Sequence, residues 1–396
     1  MTPPGASAVP AAERVLAPDL ARGVMLLLIA LAHSRDLHGA GYALGAVLAG
    51  TPLDTAVQAL LTLLVDSRAR PMFAVLFGYG LVQLARRSTE SGLDPAGTRR
   101  LLRRRGWWLV AFGFAHTVLL YAGDILAAYG FLALLLVGAL RWSDRRLWTV
   151  AGVFAVLGAL LYGWLQLQIA TLPVEELPAD PLSSGFARAA VFVILPPTNV
   201  VMSATSVLIG VWAARRRILE EPGRHLPLLR RTASGGVAVA VAGALPLTLQ
   251  AIGAWTPGSP EAAVAVVALH TLTGYAGGFG YAAIIALVVV ALQGRRGPVV
   301  TALAACGQRS LSCYLAQSVV WFVTIEPYAL DLVGRLGAAG AAAIGAGTWV
   351  VTVVVADALA RAGRRGPAET LLRRLTYGRR AGSGDSRQVP EIRHLS

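Results

Sequence analysis

An all-α, polytopic bundle of about ten transmembrane helices is the fold class this 396-residue sequence predicts, and three observations predict it. Hydrophobic residues make up 56% of the chain and charged residues 14%, with a mean hydropathy of +0.62, too apolar for a soluble globule. The apolar residues fall in runs of helical length without the alternation of half-buried strands. Arginines, the only basic residues besides six histidines, punctuate those runs instead of gathering on a water-facing domain. The charge of +14 therefore implies no nucleic-acid partner, and the expected partner is the lipid bilayer.

Taken in order, residues 1–13 are rich in Pro and Ala and read as a disordered N-terminus. A single transmembrane domain is expected over 14–380, followed by a disordered cytoplasmic tail at 381–396. The first span runs up to His33. Its Ala30-Leu31-Ala32 resembles a signal-peptide cleavage site, but Asp19 and the long polar lead-in favour a retained helix. Pro71 disfavours helix at the residue before it, so Asp54 to Arg87 reads as an interfacial helix and then a span over Met72–Leu84.

Arg99–Arg141 reads as a hairpin with arginine feet and Gly123-Asp124 at its tip. Each limb has about 16 apolar residues, roughly 24 Å as helix, shorter than a bilayer core of ~30 Å. Span five is expected over Leu147–Ile169. A polar loop with Glu175, Glu176 and Asp180 precedes span six, over Ala189–Ala213. Spans seven and eight are Leu226–Ile252 and Glu261–Leu292. A short interfacial helix over Pro298–Ala305 breaks at Gly307-Gln-Arg309, and spans nine and ten are Ser310–Ile325 and Ala338–Ala360. With the N-terminus inside, 30 of 35 arginines are cytoplasmic, which gives an even count with both termini inside.

Chemistry is expected where ionisable groups sit at membrane depth. Asp124 precedes the second limb and reads as a helix N-cap, as a placed carboxylate, or as both. Arg22 and His33 are eleven residues apart, so one helix turns them the same way with ~16 Å of rise between them. That pair suits a cation holding a phosphate near the inner interface and a general base near the outer one. The plainer reading makes Arg22 an interfacial anchor paired with Asp19, and His33 a capping residue. Asp66, Arg68, Arg70, His116 and His270 are expected near the outer leaflet, where the histidines could equally donate to backbone carbonyls. Ser310, Cys313, Tyr314 and Gln317 share one face of span nine and either bond to neighbouring helices or line a cavity. Cys306 and Cys313 have neither disulfide-framework nor zinc spacing, and no metal site is expected.

Several segments together resemble one family. They are Pro18-Asp-Leu-Ala-Arg-Gly23, Phe73-Ala-Val-Leu-Phe-Gly-Tyr-Gly80, Gly123-Asp-Ile-Leu-Ala-Ala-Tyr129, Gly307-Gln-Arg-Ser-Leu-Ser-Cys-Tyr-Leu-Ala-Gln-Ser318 and Gly366-Pro-Ala-Glu-Thr-Leu-Leu-Arg-Arg-Leu-Thr-Tyr377. In order, over about 14 to 380, they resemble the YeiB-like membrane proteins, the domain-of-unknown-function family 418. That family is similar to the type-three and heparan-glucosaminide acetyltransferase-like membrane acyltransferases. The resemblance implies ten spans and transfer of an acyl group from a cytoplasmic acyl-CoA to a carbohydrate or lipid acceptor. An Arg, ten residues and a His on the first helix is the type-three pattern, which Arg22 and His33 match. Many YeiB-like members carry Asn where this chain has His33.

The reading is a multi-pass plasma-membrane protein with acyl transfer as the leading activity and no bound cofactor, acyl-CoA being a donor substrate. Arg22 would hold a donor phosphate and His33 would be the base. Asp124 or His116 would orient base or acceptor, and Tyr314, Gln317 and Arg70 would contact substrate. A small-solute transporter using the same polar groups is the alternative, favoured by the breaks at Pro71 and Gly307.

Overall fold

The computed structural model describes residues 15–38, 45–46, 50–171 and 178–378. The terminal segments 1–13 and 381–396, and the loop acids Glu175 and Glu176, lie outside the described residues. The described chain is helical and contains no strand: α1 Leu16–His33, α2 Pro52–Leu64, α3 Ala69–Glu90, α4 Pro95–Leu119, α5 Leu126–Leu135, α6 Asp144–Thr171, α7 Pro181–Val191, α8 Leu195–Arg215, α9 Leu226–Ala251, α10 Pro260–Ala291, α11 Pro298–Gln308, α12 Ser310–Ile325, α13 Ala338–Arg361 and α14 Pro367–Tyr377.

Six of these segments are long and apolar enough to cross a membrane: α1, α6, α8, α9 with its leading turn, α10 and α13. Two more expected spans, α5 and α12, are apolar but shorter. The last two are α3, with Arg70 at its start and Arg86 and Arg87 near its end, and α4, with its arginines in the first half. Their outward surfaces suit hydrocarbon: α6 exposes Val153, Val156, Leu157 and Leu160, and α13 exposes Val350, Val351, Val354 and Val355.

The helices meet through small residues, as is usual where lipid supplies no hydrophobic drive for association. A Cβ on Gly78 of α3 would fall 2.2 Å from the Val207 carbonyl oxygen of α8. One on Gly210 of α8 would fall 2.1 Å from that of Val75, so the two glycines fix a reciprocal crossing. Gly307 stands as close to the Asp19 carbonyl, which presses the α11–α12 break onto α1. The expected hairpin is present, with α4 and α5 closing on each other at Gly106 and Gly130.

The structure corrects two boundaries. Residues 189–213 are not one span: α7 ends at Val191, and Pro196 and Pro197 occupy the first turn of α8, where missing N–H groups cost nothing. α7 is held apart by Glu326, which pairs with Arg188 and accepts from Ser184 Oγ at 3.1 Å. The span expected from Met72 begins at Ala69, after a left-handed turn at Ser67 (φ 60°), and runs on to Glu90.

Candidate functional site

The bundle has an arginine-rich end, and a cavity of about 440 Å³ opens there between α1, α3, α4, α5, α12 and α14. One wall carries Arg22, Arg87, Arg105, Arg309, Arg365 and Arg373, and among the described residues that line it the carboxylates are Asp19 and Glu369. The other wall is apolar. Phe73 and Phe77, one turn apart on α3, both stack on the Tyr129 ring of α5 with centroids 4.8 Å away. A site that is cationic on one side and aromatic on the other fits an amphipathic anion.

Arg22 takes its place by helix geometry. It pairs with Asp19 one turn earlier, and it still lines the cavity with 28% of its side chain exposed. The interfacial ion pair and the cavity position therefore coexist. Glu369 of α14 accepts from the backbone N–H groups of Leu311 (2.7 Å) and Ser312 (3.1 Å) at the start of α12. In return, Ser312 Oγ accepts from the Ala368 N–H of α14 at 3.0 Å. Each helix thus caps the other, and α14 forms part of the cavity wall.

The motifs Gly307–Ser318 and Gly366–Tyr377 are the two partners in that mutual cap, and both fall inside one family match. Residues 213–379 match the family model described as protein of unknown function, DUF418. Uncharacterized protein YxaH of Bacillus subtilis strain 168 is 25% identical over 365 residues, covering 82% of this chain and 83% of its own. Uncharacterized protein YeiB of Escherichia coli strain K12 is 36% identical over 142 residues, 34% of this chain and 32% of its own. The DUF418 segment supplies Arg309, Tyr314, Glu369 and Arg373 to the cavity; Arg22, His33, His116 and Asp124 come from the half before it.

Tyr314 stands at the inner limit of the cavity, and its hydroxyl donates to the Gly123 carbonyl at 3.4 Å. Next to it is the hairpin tip. Asp124 Oδ2 accepts from the Ala127 N–H at 2.8 Å, so it satisfies a first-turn donor of α5 from one position before the N-cap, Ile125. Its other oxygen lies 2.9 Å from His116 Nδ1, both side chains being 1% exposed. That contact is close without hydrogen-bond alignment, and His116 Nε2 has no partner among the described residues. The His116 ring lies 5.2 Å from that of Tyr314. Sequence reasoning named all three residues, and the fold brings them together.

His33 belongs to a second group, at the opposite end of α1. Its Nδ1 is 2.7 Å from the Tyr121 hydroxyl, which in turn donates to Asp36. Beyond it, Arg35 pairs with Asp66, and Arg68 approaches His270 at 3.1 Å and donates to the Ala240 carbonyl at 2.7 Å. His33 and Asp124 do not touch, but the Gly123 backbone lies between them. A Cβ there would come within 3.2 Å of His33 Cε1.

Two expected substrate contacts point elsewhere. Gln317 donates to the Leu26 carbonyl at 3.4 Å, a helix-to-helix bond. Arg70 reaches Met202 and covers the Tyr162 ring at 5.1 Å. Neither residue lines the cavity. Sequence reasoning missed Asp36, Tyr121, Glu369 and the cavity arginines other than Arg22. Tyr121 was legible only as a neighbour of Asp124, and the arginines read as topology signals. Cys306 and Cys313 are free thiols with sulfurs 3.7 Å apart across the α11–α12 break.

Proposed function

We propose that this protein is a plasma-membrane acyltransferase that takes an acyl group from a cytoplasmic acyl-CoA. The acceptor is a hydroxyl or amine of a carbohydrate or lipid at the outer side. The observation that carries this is the cavity: six arginines face an aromatic wall at the end of the bundle that the arginine bias assigns to the cytoplasm. A phosphorylated, apolar-armed donor needs such a pair of walls. Tyr314 and the His116–Asp124 pair continue from the cavity towards Gly123, and His33 lies on the far side of that residue.

In this scheme Arg22 and its neighbours hold the donor phosphates. The acyl arm passes Tyr129 and Tyr314 to the hairpin tip. The acceptor oxygen or nitrogen attacks the thioester carbon, its proton goes to His33, and the carbon–sulfur bond breaks. The thiolate leaves towards the arginines and takes a proton from cytoplasmic water, while His33 returns its proton to the outer side.

The test is binding of acetyl-CoA to the purified protein in nanodiscs. Saturable binding weakened at least about tenfold by Arg22→Ala, the loss of one charge-assisted contact, is the expected result. No binding at millimolar ligand by folded protein would overturn it. A second reading, a proton-coupled transporter, draws on the helix interruptions at Ser67 and Arg309. It predicts solute uptake that fails with Asp124→Asn and no acetyl-CoA binding.

A further inference from the structure

We propose that Tyr121 and Asp36 are positioning residues that fix His33 as the Nδ1–H tautomer, leaving Nε2 as the basic nitrogen presented to an acceptor at the outer end. The role of that nitrogen rests on the acyl-transfer reading; the tautomer itself does not.

A phenol has one proton to give. The Tyr121 hydroxyl contacts two groups, the Asp36 carboxylate and His33 Nδ1. Burial pushes the Asp36 carboxyl up to about 7, so above that pH it is an ionised carboxylate that can only accept, and the phenol proton goes to it. The 2.7 Å contact with His33 must then run the other way, with Nδ1–H donating to the phenol oxygen. A neutral imidazole that donates through Nδ1 keeps its lone pair on Nε2.

The three residues come from separate elements and are held independently. His33 ends α1, Asp36 sits in the 3₁₀ turn that follows, and Tyr121 leaves α4 at the hairpin tip. The two rings meet edge to face with centroids 4.9 Å apart, which fixes the imidazole plane as well as its tautomer. Gly123 allows the approach, because a Cβ there would fall 2.4 Å from the Tyr121 ring. The arrangement is that of a base oriented by a third group, with a phenol inserted between imidazole and carboxylate. It suits an acceptor that offers an O–H or N–H to a single directed lone pair.

The experiment is nitrogen NMR of histidine-labelled protein in lipid, with the His33 signals assigned from His33→Gln. At pH 8.5, where Asp36 is ionised, the wild type should show a protonated Nδ1 and a bare Nε2 at His33. In Asp36→Ala the phenol proton loses its acceptor and turns to Nδ1, so the imidazole proton should move to Nε2. Tyr121→Phe should leave a mixture of tautomers. Unchanged signals from the other histidines would show that each variant is folded. A wild type with Nε2–H, or an Asp36→Ala variant that keeps Nδ1–H, would overturn the proposal. Diethyl pyrocarbonate added from outside, which attacks a bare imidazole nitrogen, should modify His33 of wild type severalfold faster than of Asp36→Ala. Equal rates would remove the basic role of Nε2. None of these readouts needs acyl-CoA, so a failed acetyl-CoA titration beside a confirmed tautomer would discard the donor and keep the base.

Discussion

Asp124 shows how one side chain can serve two ends. One oxygen caps α5 through Ala127 and the other faces His116. Asn keeps an oxygen for the cap and gives up the charge, whereas Ala gives up both. Asp124→Asn is expected to cost about 1 kcal/mol, and Asp124→Ala about 3 kcal/mol, because it also strands a buried imidazole. Thermal unfolding in detergent at neutral pH would separate them, and equal losses would show that the cap is idle. The capping role was legible in the sequence because an Asp followed by an apolar run is a local signal. The partnership with His116 was not, since it depends on how the loop after α4 folds back. The same limit applies to Tyr121 and Asp36, which lie 85 residues apart and announce nothing locally.

Elements are joined by polar bolts at both ends of the bundle. At the arginine-rich end, α12 and α14 cap each other through Glu369 and Ser312. Glu369→Ala should loosen α14 by about 1–3 kcal/mol, the cost of stranding two helix-end donors. Hydrogen exchange at Leu311, Ser312 and Ala368 should rise together, and a change confined to one of the three would refute mutual capping. At the other end, Asp54 of α2 accepts from the Ala339 N–H at the start of α13, and from Thr51. The Ala339 bond, with those of Thr51, holds the Asp54 carboxyl below its ordinary range. A depressed carboxyl stabilises the fold above its unfolded value, about pH 4, and that help is lost as pH falls through the folded value. Protection of Ala339 against exchange, taken relative to the intrinsic rate at each pH, should therefore fall in acid, and Asp54→Ala should leave it low at every pH. Both bolts pair residues far apart in the chain, which is why sequence periodicity found the helices but not what fastens them.

At the scale of the whole molecule, the bundle itself was legible because hydropathy and helical length are averages over many residues. The break between α7 and α8 was readable in principle from Pro196-Pro197, yet apolar residues on both sides read as one span of 25 residues. The cavity was hidden because its arginines are spread over 352 positions from Arg22 to Arg373 and each one also reads as a topology signal. Placing both termini and the arginines inside makes a direct prediction. In a variant lacking Cys306 and Cys313, Gly258→Cys should react with an impermeant maleimide in intact cells, and Ser91→Cys or Ser143→Cys only after lysis. Labelling of Ser143→Cys from outside would invert the hairpin and move the cavity to the other side.

The second limb of the hairpin does not stay α-helical to its end: Leu136–Arg141 winds as 3₁₀ helix. That winding rises ~2.0 Å per residue against ~1.5 Å, so six residues gain roughly 3 Å on an otherwise short limb. Even with that gain the limb is short, and a short limb matches a thin bilayer. This limb carries Asp124 at the tip and Arg141 at its foot, so the winding of Leu136–Arg141 bears on how far apart they stand. The protein should unfold at higher temperature in dimyristoyl than in dierucoyl phosphatidylcholine, and ligand affinity should follow the same order. Membrane thickness would then act on this molecule as a control variable, with the arginine-foot hairpin as its gauge.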